Sequence, residues 1–155
     1  MDRLAKEGQA NIGLPIAKLK PVGSGSNYDF SYSGLKTAVI NINHKIPDLN
    51  KADLCASFQK VAAEMLITNT FGAAEELNIN KIVLAGGVAA NTHIRQQFEK
   101  IGTEKNKEIY LPELKYCTDN AAMIASAGYY NYLAGNIAEL DLNAVANLKI
   151  GGKKL

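Results

Sequence analysis

Gly86, Gly87 and Asn91 close the run IVLAGGVAAN, Ile82 to Asn91, and residues of these types in this order suit the holding of a nucleotide. Ile82-Val83-Leu84-Ala85 is too short and too uniformly apolar for an amphipathic helix, and its β-branched content predicts a strand buried on both faces. The two glycines then remove side chains at the strand's carboxyl end, where backbone is free to approach a ligand closely or to turn with positive φ. From Asn91 onward the pattern becomes helical, with Ile94 and Phe98 sharing a face and Arg95, Gln96, Gln97 and Glu99 polar. Open α/β sheets bind ligands at the carboxyl ends of their strands, which is where Gly86, Gly87 and Asn91 fall. A tight strand-to-helix turn that needs no ligand accounts for the same glycines. Neither GxGxxG nor GxxxxGK[ST] occurs, so this is not a standard dinucleotide fingerprint or a Walker loop.

A second cluster, Cys117-Thr118-Asp119-Asn120, opens an alanine-rich helix. Thr118 is placed to cap it, which would leave the Asp119 carboxylate pointing off the helix's amino-terminal end. Read functionally, Asp119 is a ligand for a divalent metal, which would require further ligands such as histidines. Read structurally, an acidic residue in a first helical turn is favoured by the helix dipole alone. No general base is identifiable beside Cys117, and buried cysteines are common. Ser31, Ser33, Gly34 and Lys36 form a third cluster, a small-residue helix start suited to an anion and equally to a plain strand-turn-helix corner. His44 and His93 stand apart from each other and from acidic clusters. HExxH is missing, and no Ser/His/Asp or Cys/His constellation supports a protease.

The elements that must position these residues follow from periodicity. Met1 to Glu7 has the look of a helix ending near Gly8, and the glycines and prolines from Gly8 to Asn27 predict loop or short edge strands. Strict alternation predicts a strand over Tyr28 to Ser33 with Tyr28, Phe30 and Tyr32 on one face. Gly34 breaks it, Ser33 is placed to cap, and a short helix is expected over Leu35 to Asn43. Leu54, Phe58, Val61 and Met65 recur at helical spacing from Asn50 to Leu77, with Asn50 and Asp53 as a capping pair and Gly72 as a point of division. A second strand is expected over Glu108 to Leu111, closed by Pro112, and a helix over Thr118 to Leu133. This helix-strand-helix-strand-helix order predicts parallel strands covered by helices.

Composition bounds the classes. A chain of 155 residues with 47% hydrophobic content can build a core, and a single domain is expected over residues 1–150 with a frayed tail at 151–155. Seventeen basic against 15 acidic residues give a net charge of +2, which by itself does not argue for nucleic acid. Two cysteines, Cys55 and Cys117, with no CxxC and no signal-peptide pattern, point to a reduced, cytoplasmic setting. No apolar run approaches the ~18 residues of a membrane span.

Taken together, YDFSYSGLKTAV from Tyr28 to Val39, KIVLAGGVAANTHIR from Lys81 to Arg95 and CTDNAAMIASAGYY from Cys117 to Tyr130 resemble, in order and spacing, the carboxyl-terminal half of the tRNA threonylcarbamoyladenosine transferase family, long called the O-sialoglycoprotein endopeptidase or glycoprotease family. The opening DRLAKEG resembles the family's helix beyond its central glycine-rich segment. The resemblance implies an α/β, actin-like ATPase fold, here the carboxyl-terminal lobe with a mixed sheet flanked by helices and incomplete at one side. It implies transfer of a threonylcarbamoyl group from threonylcarbamoyl-adenylate to N6 of the adenosine 3′ to the anticodon of tRNA. Carried over by position, Asn91 matches the asparagine that contacts the bound ATP or adenylate, Gly86 and Gly87 line its adenosine side, and Asp119 matches an aspartate that ligates iron or zinc. Ser31, Ser33 and Gly34 belong to the family pattern without an assigned task. The family's two histidines, four apart on a helix, fall before Met1, as do an aspartate and a glycine that touch substrate. The implied partners are tRNA, the missing amino-terminal half, and the family's paralogous scaffold and ATPase subunits. On this reading the isolated chain is expected to be inactive. A non-catalytic nucleotide-binding scaffold of the same fold is one alternative, against which stands the presence of both Asn91 and Asp119, and the family's historical glycoprotease (metallopeptidase) assignment is the other.

Overall fold

A computed structural model describes residues 1–16 and 28–146. In chain order its elements are α1 (Asp2–Ala5), α2 (Ser33–Lys45), α3 (Lys51–Glu76), β1 (Lys81–Val83), α4 (Thr92–Glu104), β2 (Glu108–Tyr110) and α5 (Ala121–Leu133). The chain divides into two compact units, Met1–Thr118 and Asp119–Leu155. The frayed tail expected at 151–155 lies outside the described residues.

The first unit is built around α3. Asn50 caps it, its side chain accepting from the Ala52 N–H at 2.9 Å. Asp53 is no part of that cap; its carboxylate instead accepts from the Gln9 N–H at 2.7 Å and the Asn11 amide at 3.4 Å, tying down the loop after α1. Gly72 does not divide the helix, which runs unbroken past it. A Cβ on Gly72 would stand 3.2 Å from the Tyr28 ring, so the glycine makes room for a packing contact.

Two apolar clusters flank α3. Ala63, Phe71 and Ala74 meet Ile82 of β1 and Ile94 and Phe98 of α4, with the Phe71 and Phe98 rings 5.7 Å apart. On another side Leu35 of α2 packs on Val61 and Met65, joined by Leu14, Tyr32 and Phe58.

β1 and β2 pair in parallel, with Ile82 opposite Ile109, and α4 connects them. The parallel pairing is the one that the element order predicts, but the described residues form only this two-stranded parallel sheet and not the expected mixed one. Both strands begin just after the same helix ending. Asn78 and Asn106 sit at φ 53° and 52°, and the residues after them donate back to Ala74 (2.8 Å) and Gly102 (2.8 Å). That left-handed closure is one asparagine tolerates better than most side chains. β1 is shorter than Ile82 to Ala85 and is buried on one face only, Ile82 being inside and Val83 71% exposed. A two-stranded sheet with helices on one side leaves the other face bare.

The alternation from Tyr28 to Ser33 does not form a strand. Its backbone is taken up by α3 instead: the Asn69 amide donates to the carbonyls of Tyr28 (3.1 Å) and Asp29 (3.0 Å), and the Tyr28 hydroxyl donates to Glu76. Ser33 is the first helical residue of α2 and not its cap.

In the second unit, taken by itself, α5 starts at Asn120, whose side chain accepts from the Met123 N–H at 2.9 Å, and ends before Gly135 at φ 71°. The capping role assigned to Thr118 therefore belongs to Asn120, because its amide oxygen lies one turn from an otherwise open N–H.

At Gly8 the backbone comes close to α3: a Cβ there would lie 2.1 Å from the Ala52 carbonyl carbon, whereas Gly13 has open space. Gly8→Ala is expected to cost about 2 kcal/mol or more, the order found for overpacking against backbone, and Gly13→Ala only a few tenths. Urea unfolding of the two variants checks this, and equal midpoints would contradict the α1–α3 packing.

Candidate functional site

Between β1 and α4 the chain turns sharply. Gly86 takes φ 83° and ψ 173°, a region open in practice only to glycine, and Gly87–Ala90 form a single 3₁₀ turn. The Asn91 N–H closes that turn on the Val88 carbonyl at 3.0 Å. Asn91 then caps α4, its Oδ1 accepting from the Ile94 N–H at 3.0 Å. Its Nδ2 donates to Oε1 of Gln59 on α3 at 2.9 Å. The turn is held from outside by Arg95, whose guanidinium donates to the Ala89 and Pro112 carbonyls, each at 2.9 Å, and approaches the Cys117 sulfur at 3.9 Å.

Of these residues, Gln59, Gly87, Val88, Ala90, Asn91 and Ile94 border an open cleft of about 610 Å³. Its walls are mostly apolar, with Phe58, Ala62 and Leu66 of α3 facing Gly87, Val88, Ala90 and Ile94. The polar groups are few: Asn91, Gln59, Asp2 and the Tyr32 phenol. Burial raises the Tyr32 pKa above its ordinary value, so the phenol stays a neutral donor. An apolar hollow of this size with a few convergent polar groups is the usual form of a small-ligand site.

Asp2 is the least expected of these. Its Oδ2 accepts from the Thr92 hydroxyl at 2.8 Å, and Lys6 stands 3.7 Å away. Its Oδ1 is shut off from solvent and has no hydrogen-bond partner. Burial by itself would raise the Asp2 pKa, but the Thr92 and Lys6 contacts outweigh it and hold the carboxyl below 3.8.

Of the residues singled out in the sequence, Gly87 and Asn91 line the cleft together, and Gly86 supplies the turn that brings them there. Ser31 and Ser33 bond to each other, Oγ to Oγ at 2.9 Å, and Lys36 is exposed; none of these three lines the cleft, and neither does Gly34. Asp119 is exposed in the second unit, immediately before the Asn120 cap of α5. Among the described residues no group of three or more His, Cys, Asp or Glu is placed to hold a metal ion, and His44 and His93 join none. Sequence reasoning missed Gln59, Asp2 and Arg95. A glutamine amid the apolar positions of α3 was a signal for the first. Nothing local pointed to Asp2, whose partner Thr92 is 90 residues away.

Comparison with known proteins agrees with the three motifs. The family model for TsaD, tRNA N6-adenosine threonylcarbamoyltransferase, matches residues 1–126. The chain belongs to this family. It is 46% identical over 154 residues to the tRNA N6-adenosine threonylcarbamoyltransferase of Carboxydothermus hydrogenoformans, covering 99% of this chain and 45% of the relative. The enzymes of the same name from Thermosipho africanus and Bacillus cereus are each 46% identical, over 97% of this chain and 45% and 44% of theirs. The chain thus spans about half the length of the curated relatives it matches, and corresponds to their carboxyl-terminal part. The family match takes in α1, the cleft, the Gly86–Gly87 turn and the start of α5.

The Asp2 contacts carry a pH signature. Because the folded-state pKa lies below 3.8, the unfolded chain takes up the proton first, so stability falls as pH drops. The stability difference between wild type and Asp2→Asn is expected to be present above pH 3.8 and to close as the pH falls below it. Urea midpoints followed from about pH 6 down to about pH 2.5 test this, and a pH-independent difference would refute it.

Proposed function

We propose that this chain forms the nucleotide-binding part of a tRNA threonylcarbamoyltransferase, as the carboxyl-terminal lobe of an actin-like ATPase fold. The observation that carries the reading is the meeting of Gly87, Asn91, Gln59 and Asp2 at one apolar cleft, in a chain whose family match includes all four. A flat, weakly polar base such as adenine suits the walls formed by Phe58, Ala62, Leu66 and Val88. Asn91 retains one Nδ2 hydrogen and one Oδ1 lone pair beyond its two bonds in the protein, enough to read a ligand edge. Asp2 holds Thr92, the residue after Asn91, through its Oδ2 and so ties the start of α4 to the cleft wall.

In the full reaction the ligand is ATP or threonylcarbamoyl-adenylate, and the acceptor is N6 of the adenosine 3′ to the anticodon. This chain's residues bind and orient the adenylate and keep water from its apolar side. The described residues do not by themselves fit an iron or zinc centre, since no three ligands converge and Asp119 alone offers one carboxylate. Asp119 is accordingly proposed as one ligand of a site completed by residues beyond this chain. The partners that follow are tRNA, an amino-terminal half supplying the remaining ligands, and the family's paralogous scaffold and ATPase subunits. A cytoplasmic setting goes with tRNA; no helix among the described residues is long and apolar enough to cross a membrane.

Calorimetric titration with ATP is expected to show binding to the wild type and a loss of about tenfold in Asn91→Ser. Serine retains a helix cap, so α4 stability changes by only a few tenths of a kcal/mol, and equal affinity for both proteins would remove Asn91 from the site. Zinc titration of the chain alone is expected to give no stoichiometric binding, and purified chain with adenylate and tRNA no transfer. A tight zinc site abolished by Asp119→Ala would overturn the split-site reading.

A further inference from the structure

Gln59 and Ser57 are the two buried polar side chains among the described residues, both on α3. Ser57 accepts from the Ile12 N–H at 3.0 Å, which accounts for it as structure. Gln59 is different: it is 8% exposed, it borders the cleft, and its Oε1 is engaged by the side chain of Asn91.

The polarity of that contact is forced. A backbone N–H only donates, so the Ile94 N–H fixes which end of the Asn91 carboxamide is oxygen. The Nδ2 end must then face α3, where it needs an acceptor, and Oε1 of Gln59 supplies it at 2.9 Å. With both ends held, the carboxamide plane is set, and so are the directions of the remaining Nδ2 hydrogen and Oδ1 lone pair. Without the α3 acceptor, the Asn91 side chain keeps its cap but is free to rock about it.

We propose that Gln59 is a positioning residue of the ligand site, acting through Asn91 to aim that carboxamide at the nucleotide. The inference rests on the nucleotide reading of the cleft. A glutamine that merely satisfied a half-buried asparagine would leave ligand affinity unchanged once the fold was intact; a positioning glutamine would not.

Adenosine is the probe, because its lack of charge keeps a carboxylate variant comparable. Gln59→Met is expected to lower adenosine affinity about tenfold while leaving the cooperative melt in place. In an Asn91→Ser background the same substitution should add less than about twofold, since the group it acts through is gone. Gln59→Glu, which still offers an acceptor, should hold affinity within about threefold, and it carries the test if Gln59→Met fails to fold. In the unliganded chain, the two Asn91 side-chain amide protons should shift in nuclear magnetic resonance spectra of Gln59→Met and stay near their wild-type positions in Gln59→Glu. Equal affinity for wild type and Gln59→Met, a full loss that persists in the Asn91→Ser background, or a Gln59→Glu variant as weak as Gln59→Met overturns the inference alone. No adenosine binding by the wild type overturns the nucleotide reading and this inference with it.

Discussion

Burial of α3 over a wide arc of its circumference is the constraint on which the first unit depends. Leu54, Val61, Met65, Phe71 and Ala74 are all inside, and they do not fall on one stripe. A helix buried this broadly needs neighbours on several sides. Those neighbours are α1, α2, and the α4 and β1 pair, and each arrives on a different part of the cylinder. Apolar contact alone is non-directional and would leave their registers loose. Side-chain hydrogen bonds on α3 supply direction: Asp53 and Ser57 hold the loop after α1, Asn69 holds the backbone before α2, and Gln59 holds the cap of α4. The cleft is the gap that remains where α1, the Tyr32 segment, α3 and the glycine turn meet.

The glycine turn reconciles two demands on Asn91 that look opposed. A helix cap and a ligand contact each call for the side-chain amide, and a carboxamide has donors and acceptors to spare for both. Aspartate would cap α4 as well as asparagine does but carries no donor, and serine offers its one O–H on the same oxygen that caps, whereas asparagine caps with Oδ1 and donates from Nδ2. The cap fixes the position of the side chain along the helix axis, and the Gln59 contact fixes its plane. On the proposed nucleotide reading, the cap and the ligand contact of Asn91 would be parts of one arrangement, in which the fold prepares the group that a ligand would use.

Legibility in the sequence followed the range of the interactions. Features that could be read were the β1–turn–α4 order, the positive φ of Gly86, the Asn50 cap, the carboxyl-terminal end of α5 and the parallel pairing. The misreadings arose where a distant partner decided. Tyr28 to Ser33 alternates like a strand, yet with Asn69 taking its carbonyls and Tyr28 lying over Gly72, the alternation serves packing on α3. Gly72 looks like a break and is a contact surface. Thr118 and Asn120 are both competent caps, and only the backbone geometry chooses between them. The left-handed Asn78 and Asn106 show the opposite case, a local signal that was present and went unread. In the cleft, Gly86, Gly87 and Asn91 were legible as a motif, whereas Asp2 and Gln59 reach it across 90 and 32 residues of sequence and were not.

The bare surfaces fit a chain that matches about half the length of its relatives. Parallel sheets are normally covered on both faces, because their connections place helices there. Here one face of the β1–β2 pair is packed through Ile82, while Val83 and Tyr110 stand 71% and 47% exposed. The second unit tells the same story by itself. α5 carries Met123, Ile124, Tyr129, Tyr130 and Leu133, and none of its residues is buried. A helix apolar around much of its circumference is ordinarily a core element, and leaving it in water forgoes about 25 cal/mol for each Å² of apolar surface. Contiguous exposed apolar surface of this kind marks an interaction site or an aggregation liability. The exposed apolar residues of β1, β2 and α5 are thus of the kind that a partner surface covers, and the proposed amino-terminal half would be one such surface.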